Sequence, residues 1–304
     1  MKEFLRNTWK HRAHVVLALP VFLVLFFIMY VPMAGLILAF KEYDFTLGIF
    51  RSPWAGNHGF ANFEFLIASK DLFARMTRNT ILYYLLFTSV GTFLNVTLAI
   101  AIDQFVLKKM AKTMQTLMII PVFISYAAVQ FIAYAFISSD TGIINHVLGT
   151  DTRFYSNASL WPWILLIVKI WKDTGYGSVL YMSVLAGIDS ELYEAAEIDG
   201  AGRWRRIWHI TLPSLIPMIT VMLLLSVGNV MRSDTGLFYQ VTRNNGSLYS
   251  TTQVIDSYVL NSIMKSSNFG YVGAASLFQS VVGLILMLFA NWLVRKLEPE
   301  NALF

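Results

Sequence analysis

The sequence predicts an all-α integral membrane protein with six transmembrane helices and a short extra-membrane helix between the fourth and fifth. Three observations predict it. The 304 residues are 56% hydrophobic and only 13% charged, against about 25% charged in soluble globular domains. The deficit is concentrated in long apolar runs instead of being spread along the chain. The Lys and Arg residues are dense in every second segment between those runs, as expected of a chain that crosses a membrane repeatedly.

Residues 1–14 form a basic lead. The first run, Val15–Phe40, exceeds the roughly 20 residues that a helix needs to cross a bilayer. Pro20 and Pro32 are placed to kink it. A basic start followed by an apolar run resembles a signal peptide, but the run is too long and no small-x-small cleavage site follows, so it reads as a retained span. Lys41 to Asn79 is an external segment. "SPWAGNHGF" (52–60) has the Pro, Gly and Asn content of a loop. Phe63, Leu66, Ile67 and Phe73 recur at roughly helical spacing, which fits an amphipathic helix on the outer surface or one packed on the protein's own flank.

Thr80–Ile102 and Thr113–Ser139 are the second and third spans, joined by "DQFVLKKMAK". Residues 138–159 are an external loop. The fourth span, Leu160–Ile188, is apolar at both ends but carries Lys169, Lys172 and Asp173 in its middle. Ile210–Met231 is the fifth span, entered near Pro213. Residues 232–265 are a polar external segment with a turn signal at Asn244-Asn245-Gly246. Ser266–Val294 is the sixth span, followed by a basic stop and a short tail. Asn157-Ala-Ser159 and Asn245-Gly-Ser247 match a glycosylation pattern that is common by chance. No internal repeat is visible.

The net charge of +5 is a topology signal. Twelve Lys and Arg (residues 2, 6, 10, 12, 108, 109, 112, 203, 205, 206, 295 and 296) lie in the lead, the second and fourth connections and the tail. The opposite segments hold nine over nearly twice the length. The positive-inside rule puts both termini and the 189–209 loop in the cytoplasm, and an even number of spans agrees.

The absence of cysteine excludes disulfides, thiolate chemistry and iron–sulfur clusters. No G-x-x-x-x-G-K-[ST] and no G-x-S-x-G occurs, and the five histidines have no metal-site spacing. "GYGS" (175–178) reads as helix packing. No catalytic or metal-binding residue is assigned, no nucleic-acid partner is expected, and lipid is the only partner that composition alone requires.

The connection after the fourth span, "YEAAEIDGAGRWRRIWHITLP" (193–213), is the most structured in the sequence. Ser190 is placed to cap a helix, with Glu191, Glu194 and Glu197 near its positive end. Ala195 and Ala196 keep one side thin, and Gly200 is a natural stop. Trp204, Ile207 and Trp208 follow at i, i+3, i+4, an apolar face ringed by arginines that suits the lipid boundary. The residues alone leave two readings, a solvated connector and a docking peg for a soluble partner.

"EAAEIDGAGRWRRIWHITLPSLIP" (194–217) is similar to the signature loop of the permease subunits of bacterial type I ABC importers, glutamate-alanine-alanine, three residues, glycine. Glu194, Ala195, Ala196 and Gly200 occupy those positions, with Asp199 and Ala201 beside the glycine and Leu212-Pro213 downstream. "KHRAHVVLALP" (10–20), "KIWKDTGYGSVLYMSVLAGIDSELYEAAEIDGA" (169–201) and "SLFQSVVGLILMLFANWLVRK" (276–296) resemble the complex-carbohydrate group of these permeases. The resemblance covers nearly the whole chain.

The resemblance implies a bacterial inner-membrane importer subunit that is not itself an enzyme. It implies a cytoplasmic coupling helix held by an ATPase, and an oligosaccharide or polysaccharide-derived sugar as substrate. A second permease forming a heterodimer, two ATPase subunits that bind the ATP and Mg, and an extracytoplasmic solute-binding protein complete the assembly. This chain needs no cofactor of its own. The expected division is a lead, first span and external segment (1–72), a permease core (73–296) and a cytoplasmic tail (297–304). A permease for a non-sugar solute, or a secondary transporter, remains the alternative.

Charges inside a membrane are costly and face protein or water. Lys169 and Asp173, four residues apart, are placed to pair. Lys169, Lys172 and Asp173 either line a solute pathway or fix helix packing. Trp171 and Tyr176 stack on sugar rings or pack, and Asn229, Arg232 and Asp234 lie at the outer end of the fifth span.

Overall fold

The computed structural model describes residues 12–64, 70–104, 108–266 and 268–303. Among these no strand forms, and the one β feature is an isolated antiparallel bridge between Lys41 and Trp54. The principal helices are α1 (Arg12–Leu25), α2 (Lys70–Asp103), α3 (Lys108–Ile119), α4 (Tyr126–Ile137), α5 (Ile143–Leu148), α6 (Trp161–Leu185), α7 (Ser190–Ile198), α8 (Arg203–Val227), α9 (Ile255–Ser266) and α10 (Phe269–Leu297).

Each predicted apolar run has a helical counterpart. Among the described residues four stretches are long and apolar enough to cross a membrane: Val15–Phe40, α2, α8 and α10. The third run departs from a straight span. It is two helices, α3 and α4, bent by 100°. The reason is local. Pro121 has no N–H to donate and disfavours α geometry in the residue before it. The chain tightens to a 3-10 turn over Ile120–Phe123 and restarts at Ser125, whose hydroxyl caps α4 through the amide of Ala128. The fourth run is one continuous 25-residue helix, α6, with Lys169, Lys172 and Asp173 inside it.

Two compact units are distinguished, one of residues 1–68 and 262–278, the other of 69–261 and 279–304. In the first, α1 passes into a π-helical segment (Phe26–Tyr30) and a 3-10 segment (Ala34–Phe40), with Pro20 inside α1 and Pro32 just past the π turn. The loop read at 52–60 is held by a buried Lys41. Its ammonium donates to the carbonyls of Phe50 (2.9 Å) and Ser52 (2.8 Å) and lies 4.6 Å from the Trp54 ring. Residues 65–69, with Leu66 and Ile67 of the expected surface helix, lie outside the described residues. On either side, Ala61–Phe63 is a 3-10 turn, and Phe73 belongs to α2. Phe73 is therefore part of a span-length helix and not of a separate surface element.

In the second unit α6 packs along α2, against α3 and across α8. Gly175 and Gly177 make the packing possible, because a Cβ on Gly175 would collide with the Met118 backbone and one on Gly177 with the Asn95 side chain. The 232–265 segment is less polar in its packing than its composition suggests. Leu237, Phe238, Val241 and Leu248 are buried with Tyr83, Val129, Trp161 and Leu165 in one apolar cluster. The turn within it is where Asn-Asn-Gly predicted, with Arg243 and Asn244 at positive φ. The 138–159 segment likewise contains a helix, α5, absent from the sequence reading. Both Asn-x-Ser patterns are local caps: the Asn157 and Asn245 side chains accept from the amides of Ser159 and Ser247.

Candidate functional site

Two sites carry the residues singled out in the sequence. The first is the loop after α6. Asp189, and not Ser190, caps α7, its carboxylate accepting from the Glu191 amide at 3.0 Å. A carboxylate accepts that bond and complements the helix dipole at once, so it displaces the neighbouring serine into the first turn. At the other end Ala201 N–H donates to Ala196 O (2.8 Å) and Gly200 N–H to Glu197 O (3.0 Å), with Gly200 at φ +72°. This is a Schellman closure, and it needs the left-handed residue at Gly200.

Two contacts tie α7 to the first turns of α8. The Tyr193 hydroxyl is 3.0 Å from that of the fully buried Thr211, and Glu197 pairs with Arg206 at 3.3 Å. Glu194, Ala195, Asp199 and Gly200 are exposed, while Ala196 and Ala201 are half-buried. Leu192 and Ile198 are exposed too, Ile198 by 87%. Trp204, Ile207 and Trp208 form the expected apolar face and line a groove with Phe93, Val96 and Ile100 of α2. A rigid, capped, two-turn helix therefore presents acid and uncovered apolar surface together.

The second site lies in the middle of α6. Lys169 pairs with Asp173 at 2.7 Å and with Asp234 at 3.3 Å, and Asp234 also accepts from the Tyr126 hydroxyl at 2.7 Å. Lys169 and Asp173 line a cleft of about 270 Å³ with Thr88, Thr92 and Asn95 of α2 and Ser226 of α8. Lys172 is only 6% exposed and turns elsewhere. Its ammonium donates to the carbonyls of Pro121 (3.2 Å), Val122 (2.7 Å) and Ile124 (2.6 Å), and it lies 5.0 Å from the Tyr126 ring.

The remaining candidates are dispersed. Trp171 lines an apolar groove against α4, and Tyr176 is 58% exposed. Asn229 is exposed with its amide 3.5 Å from Leu225 O, and Arg232 reaches the Ser280 hydroxyl at 3.4 Å. Sequence reasoning missed Tyr126 and the polar stripe of α2. The stripe did leave a signal: Thr88, Thr92 and Asn95 stand at i, i+4, i+7 in an otherwise apolar run, which puts them on one helix face. No group of His, Cys, Asp or Glu among the described residues is arranged to hold a metal ion.

The family model for the binding-protein-dependent transport system inner membrane component matches residues 1–299. The chain belongs to that family. Among curated relatives, Protein LplB of Bacillus subtilis (strain 168) is 33% identical over 99% of this chain and 93% of its own length. The polygalacturonan/rhamnogalacturonan transport system permease protein YteP of the same strain is 30% identical over 90% of this chain and 84% of its own. Among solved structures, a chain of a bacterial ABC transporter involved in import of the acidic polysaccharide alginate superposes with TM-score 0.85 at 28% identity, over 97% of this permease and 99% of that chain. A second structure of a bacterial alginate transporter, in complex with its pentasaccharide-bound periplasmic protein, gives TM-score 0.83 at 29% identity. This permease is therefore a membrane subunit of a transport system.

Proposed function

We propose that the chain is the permease subunit of an ABC importer that receives an oligosaccharide or polysaccharide-derived sugar from an extracytoplasmic binding protein and passes it inward by alternating access. Its partners are a second permease, two ATPase subunits that bind ATP and Mg, and the binding protein. Substrate class and partners rest on the sugar-transport relatives. The excess of Lys and Arg in alternate segments supports cytoplasmic termini and a cytoplasmic 189–209 loop in the bacterial inner membrane.

The observation that carries the mechanism is the exposure of Ile198 and Leu192 on a helix capped at both ends. An isolated two-turn helix is unstable in water. Here the caps and the Tyr193–Thr211 contact hold it, so its uncovered apolar side is ready for a protein partner. Glu194, Ala195, Ala196, Asp199, Gly200 and Ala201 form the surface that an ATPase subunit grips, and the Tyr193–Thr211 tie transmits its motion into α8. In the membrane, Lys169, Asp173 and Asp234 form the polar centre of the solute path. Asn229 and Arg232 stand at its outer end, Lys172 positions the broken span, and Trp171 and Tyr176 line flanking surface.

The test is reconstitution of the complete transporter in vesicles. Glu194→Lys is expected to leave assembly intact while uptake falls at least about tenfold, the factor that loss of about 1.4 kcal/mol of coupling produces. Uptake by this chain alone, or normal uptake by the variant, overturns the assignment.

A further inference from the structure

The apolar face at the start of α8 is largely uncovered. Trp204 is 77% exposed and Trp208 63%. With Ile207 and Leu212 they form one wall of an open groove, and Phe93 and Ile100 of α2 stand in the other. The groove holds about 700 Å³ and is almost wholly apolar. It follows α2 from Gln104 back to Thr92, about 18 Å at the rise of a helix. Half of the hydrocarbon core of a bilayer is about 15 Å deep. The groove thus reaches from the membrane boundary to the middle of the bilayer, the depth of one acyl chain.

Two features choose the occupant. The walls are built of Trp, Phe, Ile and Leu, whereas helices that pack on one another inside a membrane meet through small residues. An uneven groove of large side chains suits a flexible chain. The second feature is charge. Arg203 and Arg205 flank Trp204 at the boundary end; both are exposed, and neither forms an ion pair among the described residues. Arg206, in contrast, is taken up by Glu197. The carboxylate at that end of α2, Asp103, accepts from the Gln104 amide at 3.2 Å, and two guanidinium groups against it leave the mouth net positive. Basic residues beside apolar surface at the cytoplasmic boundary recognise anionic lipid headgroups, and tryptophan settles at the same level.

We infer that this groove is a binding site for one anionic phospholipid of the cytoplasmic leaflet, with an acyl chain along Phe93, Ile100 and Trp208 and the phosphate on Arg203 and Arg205. The choice of leaflet rests on the cytoplasmic 189–209 loop proposed above. The site adjoins Thr211, the residue of α8 whose hydroxyl meets that of Tyr193 in α7. A lipid seated there braces α2 against the turn of α8 to which α7 is tied.

The test uses the complete transporter in nanodiscs of phosphatidylcholine. The probes are phosphatidylglycerol and phosphatidylcholine carrying identical brominated chains, and the readout is quenching of tryptophan emission. The share that belongs to the groove is the part lost in the double variant Trp204→Phe, Trp208→Phe. Brominated phosphatidylglycerol is expected to reach half of that quenching at a lipid fraction about thirtyfold lower than brominated phosphatidylcholine, the factor that two arginines at about 1 kcal/mol each produce. Arg203→Gln with Arg205→Gln is expected to bring the two lipids level, and Arg203→Lys with Arg205→Lys to keep the preference. Thr97→Phe, which fills the groove from an exposed position on α2, is expected to reduce quenching by both lipids. Equal quenching by the two lipids in the parent overturns the inference. So does an equal loss of preference in Arg295→Gln with Lys296→Gln, since any basic pair would then suffice. Absence of groove quenching by either lipid overturns it too, and leaves a helix of the second permease as the cover. Failure of the permease reading shows separately, as a chain that does not co-purify with an ATPase.

Discussion

Lys172 donates a hydrogen bond to the carbonyl of Ile124 at 2.6 Å, across the break that separates α3 from α4. The same ammonium serves the carbonyls of Pro121 and Val122. A helix broken at membrane depth leaves carbonyls without partners, and each such group costs free energy unless something donates to it. A lysine has three donors and no acceptor, so it fits three clustered carbonyls. Lys172→Met fills similar volume and removes all three bonds. It is expected to cost about 2–4 kcal/mol, allowing about 1 kcal/mol or more for each unsatisfied carbonyl. A lowered unfolding midpoint in detergent, with Lys172→Arg less affected, checks it; an unchanged midpoint removes Lys172 as the pin of the break.

Lys169 has a different task. It bridges two elements, α6 through Asp173 and the 232–241 segment through Asp234. All three side chains are partly exposed, at 25%, 39% and 31%. The net value of each pair is accordingly modest, about 1 kcal/mol or less, since solvent screens it. Removing the cation alone should be worse than removing a pair, because two carboxylates then lose the charge they share, and the Tyr126 hydroxyl on Asp234 carries no charge to replace it. Lys169→Met is expected to depress uptake strongly, and Lys169→Met with Asp234→Asn to recover part of it. A double mutant no better than the single one would show that the pair is not coupled.

Much of this architecture was legible in the sequence, and the misses share a cause. Long apolar runs announced the spans, and Gly200 announced the end of α7, because both signals are local. The break at Pro121 escaped notice because its stabilising donor, Lys172, lies 51 residues away. The burial of Leu237, Phe238 and Val241 was hidden in a segment whose polar residues dominate its composition. Lys169 and Asp173 were paired from spacing alone, but Asp234 and Tyr126 join them only through tertiary packing. The cap at Asp189 was missed by one residue because Ser190 is also a good cap and only geometry decides between them.

Gly175 and Gly177 both permit close packing, but against different kinds of atom. A Cβ on Gly175 meets the backbone of Met118, which has no freedom to move aside. Gly175→Ala should therefore push α6 away from α3 at a cost of about 1–3 kcal/mol or more, as overpacking does. The three atoms nearest a Cβ on Gly177 all belong to the Asn95 side chain, which can rotate away. Gly177→Ala should cost less, about 0.5–1.5 kcal/mol, the scale of moving the Asn95 side chain off its rotamer. Equal thermal losses for the two variants would contradict this division.

The last turn of α7 offers the most direct test of the docking role proposed for this helix. Gly200 holds φ at +72°, and the bonds from Ala201 to Ala196 and from Gly200 to Glu197 depend on it. No atom lies within 4 Å of a Cβ placed there, so a substitution is resisted by backbone conformation alone and not by crowding in the free chain. The cost of forcing an L-residue into this region is about 1–2 kcal/mol, and more for a β-branched residue. Gly200→Ala and Gly200→Val should thus form a graded series in which α7 frays from its end. Asp189→Ala frays it from the other end, at about 1 kcal/mol for loss of the cap. Since α7 is exposed, none of the three should disturb the folding of the spans. The effect should fall on coupling. Uptake is expected to decline in the order parent, Ala, Val, while the unfolding midpoint of the membrane region stays level. ATPase binding, measured by co-purification, is expected to weaken in the same order. If uptake falls while ATPase binding is fully retained by Gly200→Val, the helix end transmits motion without contributing to the grip. If both are unchanged, α7 is a connector and the docking surface lies elsewhere.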